Sequence, residues 1–476
     1  MTYTEAIRFL YGLQVFGARP GLDVTRYLAA LAGNPEDKLR FIHVAGTNGK
    51  GSTCAMLESI YRAAGLRVGL FTSPHLVSFR ERIQVNRQLI VEADVVRLVV
   101  DVAAGILPPG RTLEPAAASK FVTPPAPSAL LPPGWKPDAT TLFEFITIMA
   151  LRYFAEQKCD LVIWETGLGG RLDATNIVTP LASVITNIAL DHQAWLGDTL
   201  AKIAAEKAGI IKPGVPVVTT ERGVEALSVI EKVARENNAP LTRVESDSSS
   251  ILAPCSSLLG AHQGANAALA LATVEVLQKI FPVSEAHIAD GLAQVNWPGR
   301  LQLITRPGGQ RVLLDGAHNI AGVEALRGEL VGWSSIPQSA ELSGRTLKRE
   351  LPRDVAKSSA PTLILGMLGD KDWRVMCEML APAAARILLV PVDSARMAKP
   401  EELAVACRAA NPRAEVHCLD NLSRALADAA NDEFVVIAGS LYLIGAALVL
   451  LDPEFSASED ERGLNEWGGA QKPASL

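Results

Sequence analysis

Residues Phe41-Ile42-His43-Val44-Ala45-Gly46-Thr47-Asn48-Gly49-Lys50-Gly51-Ser52-Thr53 form an apolar run that breaks into glycines, a lysine and hydroxyls. The stretch reads as strand, phosphate loop and helix. The strand is short and apolar, as one buried on both faces of a parallel sheet must be. Gly46, Gly49 and Gly51 lack the Cβ atoms that would hold backbone N–H groups away from phosphate oxygens, and Lys50 can set a point charge beside terminal phosphates. Residues 55–64 are helix-competent, so the loop aims a helix N-terminus at an anion. The pattern departs from G-x-x-x-x-G-K-[S/T] because Gly51 stands between Lys50 and Ser52. That weakens the generic match and leaves a glycine-rich βα turn as the bland alternative.

A chain of 476 residues exceeds one typical core, so two domains are expected. Hydrophobic content of 49% with 20% charged residues describes an ordinary soluble globular protein. The formal net charge of −6 argues against broad nucleic-acid binding while leaving room for a local site for a nucleotide. The first residues carry no basic region ahead of an apolar stretch, so no signal peptide is expected. The most apolar segment, Leu441–Leu451, has the length of a buried helix, so no membrane association is expected either. Six cysteines without a C-x-x-C pair fit reduced thiols in a cytoplasmic protein.

Further along, residues 67–71 read as the next strand and deliver Ser73-Pro74-His75 to a strand end, where ligands gather in open α/β sheets. Ser73 offers a small oxygen ligand of the kind magnesium takes, although a Ser-Pro turn also serves purely local purposes. Residues 105–138 hold nine prolines and read as a surface insertion. A strong helix begins at residue 141, and the strand at 160–165 ends in Glu165 before a glycine-rich turn, which makes this carboxylate a candidate metal ligand. The next strand leads to Asp191 and His192, a histidine that can ligate or serve as a structural donor. Lys207, in the last turn of a helix, would by default be solvated. Residues 220–260 are polar and uninformative. The Trp297-Pro298-Gly299-Arg300 run suits a domain boundary. Beyond it, apolar runs at 311–319, 361–372, 385–391 and 433–440 alternate with helix-length segments, implying a second, Rossmann-like parallel sheet. The fold class is therefore α/β, with an N-terminal phosphate-loop domain over 1–299 and a C-terminal Rossmann-like domain over 300–455. A second insertion is expected at 334–359 and a disordered tail over 456–476.

Taken together, GTNGKGS at 46–52, SPH at 73–75, ETGLGGRLDATN at 165–176, DH at 191–192, EKAGIIK at 206–212, DGAHN at 315–319 and GDKD at 369–372 closely resemble folylpolyglutamate synthase, often bifunctional as dihydrofolate synthase, within the Mur ligase superfamily. The resemblance runs from about residue 5 to about residue 450. It implies that Thr47, Asn48, Gly49, Lys50, Gly51 and Ser52 hold the phosphates of ATP. Asn266, Arg300 and Asp315 match adenine, phosphate and ribose contacts. Ser73, Glu165 and His192 would surround magnesium, and Lys207 matches the lysine whose ε-amine becomes a carbamate in this family, a change that turns a cation into an oxygen ligand for a second magnesium. Potassium is a further candidate cation. Thr141, Leu142, Phe143 and Glu144, with Leu172, Asp173 and Ala174, match the pterin region, while the 17–26 segment is where bifunctional members would hold pteroate. His318 and Ser440 match positions near the incoming glutamate, and His318 joins Lys50 and Lys207 as a catalytic candidate.

The implied chemistry is ATP-dependent amide formation: a pteroate or folate carboxylate takes the γ-phosphoryl group, and the amine of L-glutamate displaces phosphate from the acyl phosphate. Such an intermediate needs exclusion of water, for which a hinge near residues 297–300 is suited. The expected partners are small molecules, namely folate or dihydropteroate, L-glutamate and ATP, acting on a monomer. The rivals are a cell-wall peptide ligase of the same superfamily and a phosphate-loop regulatory protein without ligase turnover. Gly51 after Lys50 and the SPH block favour the folate branch.

Overall fold

The computed structural model describes residues 1–14, 21–106, 140–245, 258–334, 360–455 and 461–465. The expected insertions, apart from their edges, and residues 17–20 of the pteroate segment lie outside them. The described chain falls into two compact units. The first comprises Met1–Ser246, Asn266–Leu292 and the chain from Gly463, and the second Asp247–Ala265 with Ala293–Arg462. The second unit thus takes up the chain ahead of the 299–300 boundary expected from sequence.

In the first unit, strands β1 (Phe41–Ala45), β2 (Val68–Phe71), β3 (Ile83–Val85), β4 (Gln88–Leu89), β5 (Leu161–Glu165), β6 (Ala182–Ile185), β7 (Val217–Thr219) and β8 (Leu241–Arg243) form one sheet. Its order is β4-β3-β2-β5-β1-β6-β7-β8. The pairs from β2 across to β8 are parallel, whereas β3 and β4 add an antiparallel hairpin at one edge. β1, β2, β5 and β6 are buried at every position, which is why they are apolar runs and not alternating ones. Trp164, on β5, stacks on Phe71 at 4.5 Å between ring centroids and meets Phe41 edge-on at 5.6 Å. The helices Tyr3–Leu13, Glu92–Ile106 and Leu142–Glu156 close over this face with Leu10, Leu98 and Phe145.

Chain order sets a switch point at β1. From β1 the chain passes through the helix Lys50–Ala63 to β2 on one side of it, while from β5 it passes to β6 on the other. The carboxyl ends of strands flanking such a reversal open a crevice, and ligands bind there in open α/β sheets.

The second unit holds β9 (Gln302–Thr305), β10 (Arg311–Asp315), β11 (Thr362–Leu365), β12 (Arg386–Leu389), β13 (Glu415–Cys418) and β14 (Phe434–Ala438) in the order β13-β12-β11-β14-β10-β9. All pairings are parallel except β9 with β10. The apolar helix Leu441–Leu451 has the bounds its composition suggested. Further features differ from the sequence expectation. The 220–260 region contains the helix Val224–Glu236 and strand β8. Within the expected tail, Arg462–Asn465 form a 3-10 turn whose Leu464 is buried.

Candidate functional site

The phosphate loop is bound to the exit of β6. Thr47 N–H donates to Asn187 O at 2.8 Å, Asn48 N–H to Asn187 Oδ1 at 2.9 Å, and the Thr186 hydroxyl to Asn48 O at 2.7 Å. Two of its glycines are required sterically. Gly46 has φ +148°, and a Cβ there would lie 1.7 Å from Thr186 Oγ1. Gly49 has φ +83° and caps the helix Lys50–Ala63, and a Cβ there would lie 2.3 Å from Asn266 Oδ1. Asn266, the adenine candidate, therefore packs directly on the loop. Thr186 and Asn187 carried no weight in the sequence reading. Their signal was the change from an apolar strand to hydroxyl and amide groups at its end.

Two ammonium groups converge on one carbonyl. Lys50 Nζ donates to Gly46 O at 3.1 Å and to Thr47 O at 3.2 Å, while Lys207 Nζ donates to Gly46 O at 2.7 Å. Lys207 is only 5% exposed. Burial, helped by the neighbouring Lys50 charge, pushes its pKa down to about 7, against a smaller upward pull from Asp191 and Asp173. A last-turn helical lysine expected in solvent is thus buried, because the helix Leu200–Ala208 packs its C-terminal turn behind the loop.

Glu165 ends β5 beside the loop, since Val44 is its register partner on β1. It is 3% exposed, and Oε2 accepts the Ser73 N–H at 3.0 Å. The structure thus joins Ser73 and Glu165. His192 has φ +50°, and its Nε2 stands 3.9 Å from Asp191 Oδ1. Among the described residues, no group of three or more His, Cys, Asp or Glu side chains could hold a metal. Magnesium does not require one. It takes one or two carboxylates, keeps several waters and completes its octahedron with substrate phosphates, so Glu165 and the Ser73 hydroxyl beside a phosphate loop fit it. The His192 nitrogen is the poorer donor for so hard a cation.

The pterin candidates adjoin this edge. Thr141 caps the helix Leu142–Glu156, and Glu144 Oε2 accepts both the Thr141 N–H at 2.7 Å and its hydroxyl at 2.8 Å. These polar groups are engaged with each other, as a capping box requires. Phe143 lies over the glycine turn: a Cβ on Gly167 would come within 2.4 Å of its ring. Asp173 is buried and ties that turn together, accepting Leu168 N–H at 2.7 Å, Thr175 N–H at 3.0 Å and the Thr175 hydroxyl. Burial raises its pKa, against those hydrogen bonds. Leu172 is half-buried and Ala174 buried.

In the second unit, Asp315 ends β10 and bridges two turns, accepting Leu301 N–H and Ala317 N–H, each at 3.0 Å. Its carboxyl is raised by burial, and the Arg300 charge opposes the rise. His318 Nδ1 meets Gly316 O at 2.7 Å. A carbonyl only accepts, so Nδ1 carries a proton and the neutral ring has its lone pair on Nε2. Ser440 is 1% exposed just beyond β14, with its hydroxyl accepting the Tyr442 N–H at 3.2 Å. Asp315 pairs in register with Ala438, so Asp315, His318 and Ser440 gather at the carboxyl ends of two adjacent strands.

A phosphate loop at a switch point, a buried carboxylate beside it and a second Rossmann-like unit define an ATP-dependent ligase. No protein-family model matches the chain. It is 35% identical over 465 residues to the Bacillus subtilis dihydrofolate synthase/folylpolyglutamate synthase, covering 93% of this chain and 97% of the relative. The Lacticaseibacillus casei folylpolyglutamate synthase is 33% identical over 473 residues, covering 94% and 98%. Among solved structures, E. coli FolC in complex with DHPP and ADP superposes with a TM-score of 0.75 at 28% identity, covering 96% of this chain and 99% of that one. The chain belongs to the folylpolyglutamate synthase/dihydrofolate synthase family.

Proposed function

We propose that the enzyme adds L-glutamate to a folate, and to dihydropteroate, through an acyl phosphate. The observation that carries this reading is the convergence of Lys50, Lys207, Ser73 and Glu165 around the loop at the β1 switch point. In the first half-reaction a substrate carboxylate oxygen bonds to the γ-phosphorus and ADP departs. In the second, the glutamate amine bonds to the acyl carbon, phosphate leaves with the former carboxylate oxygen, and the amine loses a proton. Magnesium, when bound, offsets charge on the phosphates.

The backbone N–H groups of residues 49–52 orient the phosphates, those of Thr47 and Asn48 being bound to Asn187 so that they shape the loop, and Lys50 turns from Gly46 O toward the γ-phosphate. Glu165 and Ser73, with His192 at the margin, hold the metal side. At a pKa of about 7, Lys207 is about nine-tenths neutral at pH 8, against well under about one per cent for an ordinary lysine. Only the neutral amine adds to carbon dioxide, so burial supports carbamate formation there. Because Thr141 and Glu144 spend their polar groups on each other, the surface left for a pterin is Leu142, Phe143 and Leu172, with Asp173 and Ala174 setting the turn. Asn266, Arg300 and Asp315 are assigned to the nucleotide, and His318 and Ser440 to glutamate. We assign a cytoplasmic, monomeric enzyme acting on small molecules, with neither nucleic acid nor membrane as partner. Among the described residues no helix is long and apolar enough to cross a membrane.

The test is phosphate release from MgATP with tetrahydrofolate or dihydropteroate supplied separately, with and without glutamate, and products weighed by mass spectrometry. Release that needs both the pterin substrate and glutamate is expected. ATP hydrolysis indifferent to both would sink the ligase assignment.

A further inference from the structure

The segment carrying Ser73 is fastened by the far end of the chain. In the turn Arg462–Asn465, Leu464 is 2% exposed and belongs to the same apolar core as Phe9, Phe79 and Phe145. Gln14 Nε2 donates to Gly463 O at 2.8 Å. A Cβ on Gly463 would lie 2.8 Å from the Tyr11 hydroxyl, so the turn sits flush against the helix Tyr3–Leu13. Beyond this packing, Asn465 makes two bonds of a different kind. Its Nδ2 donates to His75 O at 2.9 Å, and its Oδ1 accepts from Arg82 Nη2 at 2.6 Å. Arg82 Nε in turn donates to His75 Nδ1 at 2.8 Å. His75 is therefore held at its carbonyl and at its ring, two residues from Ser73.

Residues 72–82 already close on themselves without the turn. Thr72 N–H donates to Arg82 O at 3.1 Å, and the Glu81 carboxylate accepts the N–H groups of Leu76, Val77 and Ser78 at 2.7, 2.8 and 2.7 Å. What Asn465 adds is a fixed position for the amino-terminal part of this loop. The amide supplies the donor and the acceptor at once: an aspartate would lose the bond to His75 O, and an alanine would lose both. We propose that Asn465 is a positioning residue, which holds the His75 backbone and thereby sets the Ser73 oxygen beside Glu165. The proposal rests on reading Ser73 and Glu165 as the magnesium side of the site.

The experiment compares Asn465→Ala with the unaltered full-length chain in three measurements. Hydrogen–deuterium exchange on ligand-free protein reads the amides of residues 73–78. Magnesium titration of folate- and glutamate-dependent phosphate release reads the metal requirement. Thermal unfolding reads the fold. The expected result is exchange about tenfold faster across 73–78 and a magnesium half-saturation raised about three- to tenfold, with the KM for glutamate unchanged. Unchanged exchange and magnesium requirement would overturn the proposal, as would a lowered melting temperature with the magnesium requirement intact. If the alanine variant does not fold, Asn465→Asp decides, since it keeps an acceptor for Arg82 and loses only the His75 bond. If the unaltered chain releases no phosphate in response to folate and glutamate, the ligase reading fails, while the exchange measurement still judges the tether.

Discussion

Replacing Lys207 with methionine should stabilise the first unit while removing ligase activity. The fold lowers the pKa of this lysine from 10.5 to about 7, chiefly by burial. A shift of about 3.5 units corresponds to about 5 kcal/mol of differential interaction between the charged and neutral forms. Because the folded pKa lies below the unfolded one, this penalty is fully present below about pH 7 and fades as the pH rises to about 10.5. Against it stands the 2.7 Å bond from Nζ to Gly46 O, worth about 1.5–3 kcal/mol for a charged donor. Methionine keeps the unbranched apolar stem and brings no charge, so a net gain of about 2 kcal/mol is expected at pH 7. The assay is urea unfolding at pH 7.0 and pH 9.5, in buffer freed of carbon dioxide so that the parent lysine is unmodified. The variant's advantage should shrink toward the higher pH. A variant less stable than the parent at pH 7, by a margin that does not change with pH, would refute the reasoning and leave Lys207 as an ordinary structural donor.

Gly46→Ala should cost about 2 kcal/mol or more and abolish nucleotide binding, because the new methyl would lie 1.7 Å from Thr186 Oγ1 at a φ of +148°; denaturant unfolding and ADP calorimetry check both parts. Glu165→Gln keeps an oxygen for the Ser73 N–H but removes the negative charge, so the magnesium half-saturation of activity should rise at least about tenfold while the melting temperature moves little. An unchanged magnesium titration in that variant would remove Glu165 from the metal side.

The core of the first sheet was legible because parallel strands covered on both faces must be apolar throughout, and β1, β5 and β6 announce themselves in that way. The strands that escaped reading are short, at a sheet edge, or both. β3 with β4 is a hairpin of three and two residues, and β13 buries only Val416 at an edge. β9 is only partly buried. Short or edge strands bury too little surface to leave an apolar run, so periodicity gives them no signal. The turn at Arg462–Asn465 escaped for a related reason: a single buried leucine in a polar tail has no pattern around it, and its partners lie at the other end of the chain.

The site divides along the same physical line. Gly46, Gly49, Lys50 and Glu165 were legible from residue type, because phosphate cradles and strand-terminal carboxylates constrain composition locally. Lys207 was not, since a lysine in the last turn of a helix is ordinarily solvated, and only the packing of that turn behind the loop reverses the expectation. Nothing within several residues of Lys207 encodes its pKa of about 7; burial imposes it, and the charge of Lys50, far away in sequence, adds to the shift. Thr141 and Glu144 show the converse. The resemblance places them in the pterin region, yet a threonine three residues before a glutamate is also a helix start, and the structure uses both polar groups for that purpose. A motif thus states which chemistry a position can supply, whereas the partners that geometry brings decide whether the polar atoms remain available for it.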